Sequence, residues 1–143
     1  MSVDDISIAL VSSWDTGEIV ALYRAGGWWN DEFDPAEVPR LIGGSFAFVV
    51  AADKKTGRAV GMGRVISDGV SDAYIQDLVV LPEYRRRDFG TAMISLLVRR
   101  CRDAGISWIA LVAEPDSENF YHPLGFARME GYVPLIYRGA PDA

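Results

Sequence analysis

The sequence predicts an α/β fold: one domain over residues 1–143, built on a mixed, mostly antiparallel sheet of six or seven strands flanked by about four helices. Three observations carry this expectation. Half of the 143 residues are apolar, which suffices for one core, and the chain is too short for two. Three β-type runs follow one another between residues 45 and 81 with only hairpin-type turns between them. A helical apolar stripe beginning at Phe89 then leads into another β-type run, the order that makes a right-handed crossover between parallel strands.

The elements follow in order. "ISIALV", residues 6–11, is a short strand. Ile19, Leu22 and Tyr23 have helical spacing, Asp15 and Glu18 stand three apart as in a capping box, and Gly26-Gly27 is a stop signal, so a helix is expected over about 16–25. "WWNDEFDP" has no periodicity and reads as a loop leading into a short helix in "PAEVPRLIGG". "SFAFVVAAD", "AVGMGRVISD" and "DAYIQDLVVL" form an antiparallel meander with turns at "KKTG" and "DGVS". Phe89, Ala92, Met93, Leu96, Leu97 and Cys101 form the stripe of a long helix ending near Gly105. "SWIALVA" reads as a buried strand parallel to the one at 74–81. "SENFYHPLGF" supplies a short helix ending at Gly125, and "FARMEGYVPLIYRG" reads as two last strands.

Charge narrows the function classes. The net charge of −6 argues against a general nucleic-acid binder, because phosphate contacts need a basic face. Residues 1–37 hold eight acids against Arg24 alone, whereas residues 83–102 hold six arginines against Glu83 and Asp88. A protein so divided can receive a cation on one side and an anion on the other. A single cysteine excludes an internal disulfide, and no charged-then-apolar leader precedes the first strand, so a cytoplasmic protein is expected. No run of 18 apolar residues is present to span a membrane, and one His with one Cys is too few soft ligands for an ordinary zinc site, so no metal is expected.

The concentrated arginines fall in "LPEYRRRDFGTAMI", at the turn from a strand into the long helix. Backbone N–H groups at a helix N-terminus are unpaired and partly positive. With Arg85, Arg86 and Arg87 beside them, they suit a polyanion such as a pyrophosphate. A solvated, charged loop is the plainer reading of three arginines taken alone.

At this point the sequence resembles the GCN5-related N-acetyltransferase (GNAT) family. In that family a strand, the pattern Q/R-x-x-G-x-G/A and a helix bind the pyrophosphate of acetyl-CoA. Here the pattern reads "RRRDFGT", with Arg85 at the Q/R position and Gly90 at the second glycine; Asp88 stands where the first glycine should be. "YIQDLVVLPEYR" is similar to the family's fourth strand and following loop, and "FYHPLGF" resembles the segment around the family's catalytic tyrosine. Residues 1–44 are the least diagnostic.

The resemblance implies acetyl-CoA as cosubstrate, held by Arg85, Arg86, Arg87, Asp88, Phe89, Gly90 and Thr91, with Asn119 on the CoA arm. It also implies a bulge in the fourth strand at Leu78, Val79 or Val80, whose freed amides hold the pantetheine arm and polarise the acetyl carbonyl. Tyr121 aligns with the tyrosine that protonates the departing thiolate. Asp77 is the candidate base for the incoming amine, and Glu114 the second. Strand alternation places Gln76 and Asp77 on opposite faces, so one of them at most faces the cleft. His122 is expected at the surface and Cys101 in the core. Tyr23, Trp28 and Trp29 lie where the family places its variable acceptor loops, beside Asp31, Glu32 and Asp34. Aromatics with carboxylates suit an apolar or aromatic amine, and anchoring of the loop to the core explains them equally well.

Asp88 is expected to cap the helix and so compete with the cosubstrate for the same N–H groups. The expected activity is acetyl transfer from acetyl-CoA to a primary amine of a small molecule or peptide, by direct attack in a ternary complex. No nucleic acid or membrane is expected as partner, and a homodimer stays open. A catalytically idle CoA-binding or regulatory module of the same fold is the alternative. A phosphopeptide- or nucleotide-binding protein is a third reading, and it leaves "FYHPLGF" unexplained.

Overall fold

The computed structural model describes residues 5–141, which form two compact units divided between Leu111 and Val112. The first unit holds an open five-stranded sheet in the order β1 (Ile6–Leu10), β2 (Ala47–Asp53), β3 (Ala59–Ser67), β4 (Asp72–Val80), β5 (Trp108–Leu111). The first three pairings are antiparallel, and β4–β5 is parallel, with Asp72 opposite Trp108 and Ile75 opposite Leu111. Among the described residues the sheet therefore has five strands, and the expected six or seven are not reached. "SWIALVA" contributes only Trp108–Leu111, at the sheet edge and partly exposed, so it is not the buried strand its composition predicts. Residues 126–139 form no strand at all. A β-type run becomes a strand only where a ladder partner is offered, and among the described residues these have none.

The described residues hold four helices, α1 (Thr16–Ala25), α2 (Val38–Gly44, entered through a single 3-10 turn at Pro35–Glu37), α3 (Phe89–Asp103) and α4 (Glu118–Tyr121). Helix α1 starts where Asp15 caps it: the Asp15 carboxylate accepts from the Glu18 N–H at 3.0 Å. The capping box is not reciprocal, however. Glu18 Oε1 is taken by Trp14 Nε1–H at 3.0 Å and by the Ala59 N–H at 2.6 Å, which ties the helix to the start of β3.

Helices α1 and α2 cover one face of the sheet. Ile19, Leu22, Val38 and Ile42 meet Phe48, Val50, Met62 and Val79 in a single apolar cluster. Helix α3 covers the other face, which β3 makes accessible with glycine. A Cβ on Gly61 would come 3.0 Å from Met93 Cε, and one on Gly63 would come 3.4 Å from Leu97 Cδ1. The buried stripe of α3 is Phe89, Met93, Ile94, Leu97 and Cys101. Ile94 takes the place expected for Ala92, which is exposed, and Leu96 is only half-buried. Cys101 is in the core as its spacing predicts, and burial pushes its thiol up.

The second unit is small. Ser117 precedes α4, a 3-10 turn follows at His122–Leu124, and Gly125 ends it in the left-handed region at φ 100°. From Ala127 to Pro141 the chain is exposed.

Candidate active site

The site in the first unit is built around a break in β4. Met62 pairs with Val79 and Arg64 with Gln76, so the single residue Gly63 faces two residues, Asp77 and Leu78. That is a β-bulge. Its backbone signature is Asp77, at φ 63° in the middle of a strand. The expectation placed the bulge at Leu78, Val79 or Val80; it takes in Leu78, while Val79 and Val80 stay in register with Met62 and Gly61. Gly63 makes room for it, since a Cβ there would lie 3.2 Å from Leu78 Cδ1.

The bulge also cancels the alternation expected for Gln76 and Asp77. Both side chains reach the same guanidinium: Arg64 donates from Nε to Asp77 Oδ2 at 2.7 Å and from Nη2 to Gln76 Oε1 at 3.0 Å. A residue at positive φ does not advance the pleat by half a period, so two consecutive side chains leave on one side. From α1, Tyr23 donates its hydroxyl to the same Oδ2 at 2.7 Å. The Arg64 and Asp77 side chains are 17% and 15% exposed, which makes this a mostly desolvated ion pair. Burial, and then the Asp77 charge, hold the Tyr23 phenol far above its usual range, so it stays a hydrogen-bond donor.

Tyr23 is therefore buried in α1 and not part of the loop that follows. Its ring still borders that loop. Trp28 stands edge-on to it at 6.3 Å, Trp29 lies at 6.4 Å, and Phe33 stacks edge-on to Trp29 at 5.6 Å. The tryptophans are half-buried and Phe33 is half-exposed, so an aromatic wall runs from the bulge toward solvent. Of the acids beside them, Asp31 pairs with Arg24 at 3.3 Å and Asp34 caps the Ala36 N–H at 2.9 Å. Glu32 is exposed.

Beyond β4 a single 3-10 turn, Pro82–Tyr84, leads into the arginine loop, and the Tyr84 hydroxyl fastens it to Asp53 Oδ2 at 3.1 Å. Arg85 turns its Nε back to the Val80 carbonyl at 2.9 Å, Arg86 is exposed and Arg87 half-exposed. Two residues of this loop lie in the left-handed region, Arg86 at φ 65° and Asp88 at φ 63°. The second value explains the family's glycine. The position demands a conformation that L side chains other than Asn and Asp adopt reluctantly. Asp88 precedes α3, yet its side chain makes no capping hydrogen bond. The expected competition between its carboxylate and an anion for the first-turn amides is thus absent from the structure. Phe89 is buried and anchors the helix start, while Gly90 and Thr91 lie half-exposed in its first turn. A 15-residue helix with an uncapped N-terminus and three adjacent guanidinium groups is a donor set that fits a diphosphate.

In the second unit Tyr121 ends α4, half-buried between Phe120 at 4.9 Å and Phe126 at 5.9 Å. Burial, with a smaller contribution from Glu114, raises its phenol. Asn119 and Glu114 are exposed. His122 is exposed as expected; its ring nitrogens meet the Phe126 carbonyl at 3.0 Å and Glu118 Oε2 at 2.8 Å.

Sequence reasoning missed Arg64. A signal was present: an arginine inside the apolar run "AVGMGRVIS" demands a buried acceptor, and the adjacent strand carries Gln76 and Asp77.

The architecture is an open mixed sheet with a bulged fourth strand and an anion-receptive loop before a long helix. The profile of the Acetyltransferase (GNAT) family matches residues 10–126, and the chain belongs to that family. An uncharacterized N-acetyltransferase, ycf52, of Porphyra purpurea is 26% identical over 128 residues, which are 90% of this chain and 74% of that one. The chloroplastic serotonin N-acetyltransferase 2 of rice is 42% identical over 77 residues, 54% of this chain and 38% of that protein. A GNAT-family acetyltransferase structure from Streptococcus pneumoniae shares the fold, with a TM-score of 0.79 at 24% identity over 95% of this chain and 99% of that one.

Proposed function

We propose that the protein transfers an acetyl group from acetyl-CoA to a primary amine by direct attack in a ternary complex. The observation that carries this reading is the bulge at Asp77–Leu78 in the strand that leads, through a fastened turn, to the arginine loop and α3. Acetyl-CoA supplies a thioester whose carbonyl carbon the amine nitrogen attacks, with the CoA thiolate as leaving group. Arg85, Arg86 and Arg87, with the first-turn amides of Phe89, Gly90 and Thr91, hold the diphosphate. Backbone groups of Leu78, Val79 and Val80 would line the arm and offer donors to the carbonyl oxygen, where such fixed donors favour the charge that develops on attack. Tyr121 is assigned by its match to the family's tyrosine as the donor that would protonate the leaving thiolate; like any phenol it carries its proton at neutral pH.

The acceptor is a primary amine carrying an apolar or aromatic group. The wall of Tyr23, Trp28, Trp29 and Phe33 supports this, as does the similarity to a rice enzyme named for serotonin. A panel of arylalkylamines, polyamines, aminoglycosides and peptides with acetyl-CoA, read as free CoA released, tests it. Arylalkylamines are expected to turn over fastest. Acetyl-CoA binding without turnover of any amine would instead favour an idle CoA-binding module.

Two substitutions sharpen the assignment. Tyr121→Phe is expected to lower kcat by ~10²-fold or more with little change in acetyl-CoA affinity. Asp88→Gly is expected to tighten acetyl-CoA about fivefold by removing a negative charge. It should leave Tm unchanged or raised, because the side chain caps nothing and glycine suits the positive φ.

A further inference from the structure

A β-bulge gives up ladder hydrogen bonds, and an aspartate at φ 63° adds backbone strain to that loss. Something must hold the strand in this shape. The structure shows what grips it: one guanidinium holds both the last residue in register, Gln76, and the residue inside the bulge, Asp77. A phenol from a different element closes on the same carboxylate oxygen. These bonds come from β3 and α1, so the bulge is fixed against both the neighbouring strand and the covering helix.

We propose that Arg64 and Tyr23 are positioning residues that hold β4 in its bulged form, and that Asp77 is the peg they grip. Glycine at 77 would adopt the backbone angle at less cost, but it would leave Arg64 mostly buried without its counter-charge. Aspartate meets both demands, because it tolerates the left-handed region and supplies the acceptor. Both bonds fall on Oδ2 at 2.7 Å, so they fix how the carboxylate stands. The family resemblance offers the same carboxylate as base, and the asparagine variant below separates that role from positioning. Tyr23 also borders Trp28 and Trp29, so the aromatic loop and the bulge share an anchor.

The consequence for turnover rests on the acetyl-transfer reading, and the clasp itself does not. The experiment compares Asp77→Asn, Asp77→Ala, Arg64→Lys and Arg64→Ala with the parent chain, measuring kcat with the best amine of the panel and Kd for acetyl-CoA. Asparagine keeps an oxygen for Arg64 and Tyr23 and tolerates positive φ, but cannot act as base. Asp77→Asn is expected to keep kcat within about threefold, a rescue that a base could not show. Asp77→Ala and Arg64→Ala are expected to lose up to ~10²-fold in kcat, the scale of a roughly 1 Å misplacement, with a smaller change in Kd because a separate loop holds the diphosphate. Loss in Asp77→Asn as deep as in Asp77→Ala would make Asp77 the base and overturn the proposal, as would parental kcat in Arg64→Ala.

Should the alanine variants fail to fold, Arg64→Lys decides. It keeps the charge beside Asp77 and loses the fork to Gln76. Amide hydrogen exchange at residues 76–79 is then expected to quicken by about tenfold or more while α3 is unchanged. Unaltered exchange at 76–79 would refute the clasp. This readout stands even if the parent chain acetylates no amine, so failure of the clasp and failure of the enzymatic reading are told apart.

Discussion

Strand β2 and the segment 132–137 have nearly the same kind of sequence and opposite fates. "AFVVAAD" is buried at all seven positions. In "YVPLIY", Tyr132, Val133, Leu135, Ile136 and Tyr137 are 73–92% exposed. Composition does not separate them. Partners do: β2 has β1 on one edge and β3 on the other, with α1, α2 and α3 over its faces. The later segment belongs to no ladder, and Pro134 removes one of the N–H groups a ladder would use. β-propensity measures how well a side chain suits a pleated, half-buried surface, and it has no effect until neighbours supply that surface.

Substitutions that treat the two regions alike should expose the contrast. The largest effect is expected in β2. Phe48→Ala empties the centre of the cluster under α1 and α2 and should cost ~3–5 kcal/mol in urea unfolding. A cost below about 1 kcal/mol would mean that β2 is not the centre of the core.

Next comes the tie that brings α1 to the sheet. Glu18→Ala leaves the Ala59 N–H and the Trp14 N–H without their acceptor and should cost ~1–3 kcal/mol. An unchanged unfolding midpoint would show that water replaces Glu18 without loss.

The second unit offers a pH test. The Phe126 carbonyl first, and then Glu118, raise the His122 imidazole, so the ordering this contributes is complete below the ordinary histidine pKa and is lost as pH rises through the raised value. The Arg128 guanidinium first, and then His122, lower Glu118, whose contribution is present above the ordinary glutamate pKa and lost as pH falls through the lowered value. Protection of α4 amides should therefore be greatest between about pH 4.3 and 6.5. An NMR titration of His122 at or below its ordinary value would contradict the geometry of its two acceptors.

The smallest effect is expected where composition alone would predict a large one. Ile136→Asp should change stability by less than about 0.5 kcal/mol, because the side chain is already in water. A loss above about 1 kcal/mol would show that these residues are covered in solution, and the contrast with β2 would fall.

Much of the fold was legible in the sequence because its signals are local. Helix α1 begins and ends where Asp15 and Gly26-Gly27 place it, since capping is decided within a turn of the chain. The meander β2–β3–β4 and the parallel return of β5 follow from short turns and from the handedness of the crossover. The arginine loop was legible too, since a strand–loop–helix junction is local. The two final strands expected in "FARMEGYVPLIYRG" do not form, because a strand depends on a partner that no short window contains.

The sequence by itself determined the class of the protein: one alternation of strands and helices, an acidic beginning, three arginines at the mouth of a long helix, and two motifs that together resemble a single family. The tertiary structure alone decided what Asp77 is joined to. Its partners, Arg64 and Tyr23, lie 13 and 54 residues away in the chain, and a left-handed residue turned Gln76 to the same side as Asp77. Periodicity extends a regular pattern, and a bulge is where the regular pattern stops. Which charges are brought together there depends on contacts distant in sequence, and those exist only once the sheet and its covering helices have closed around them.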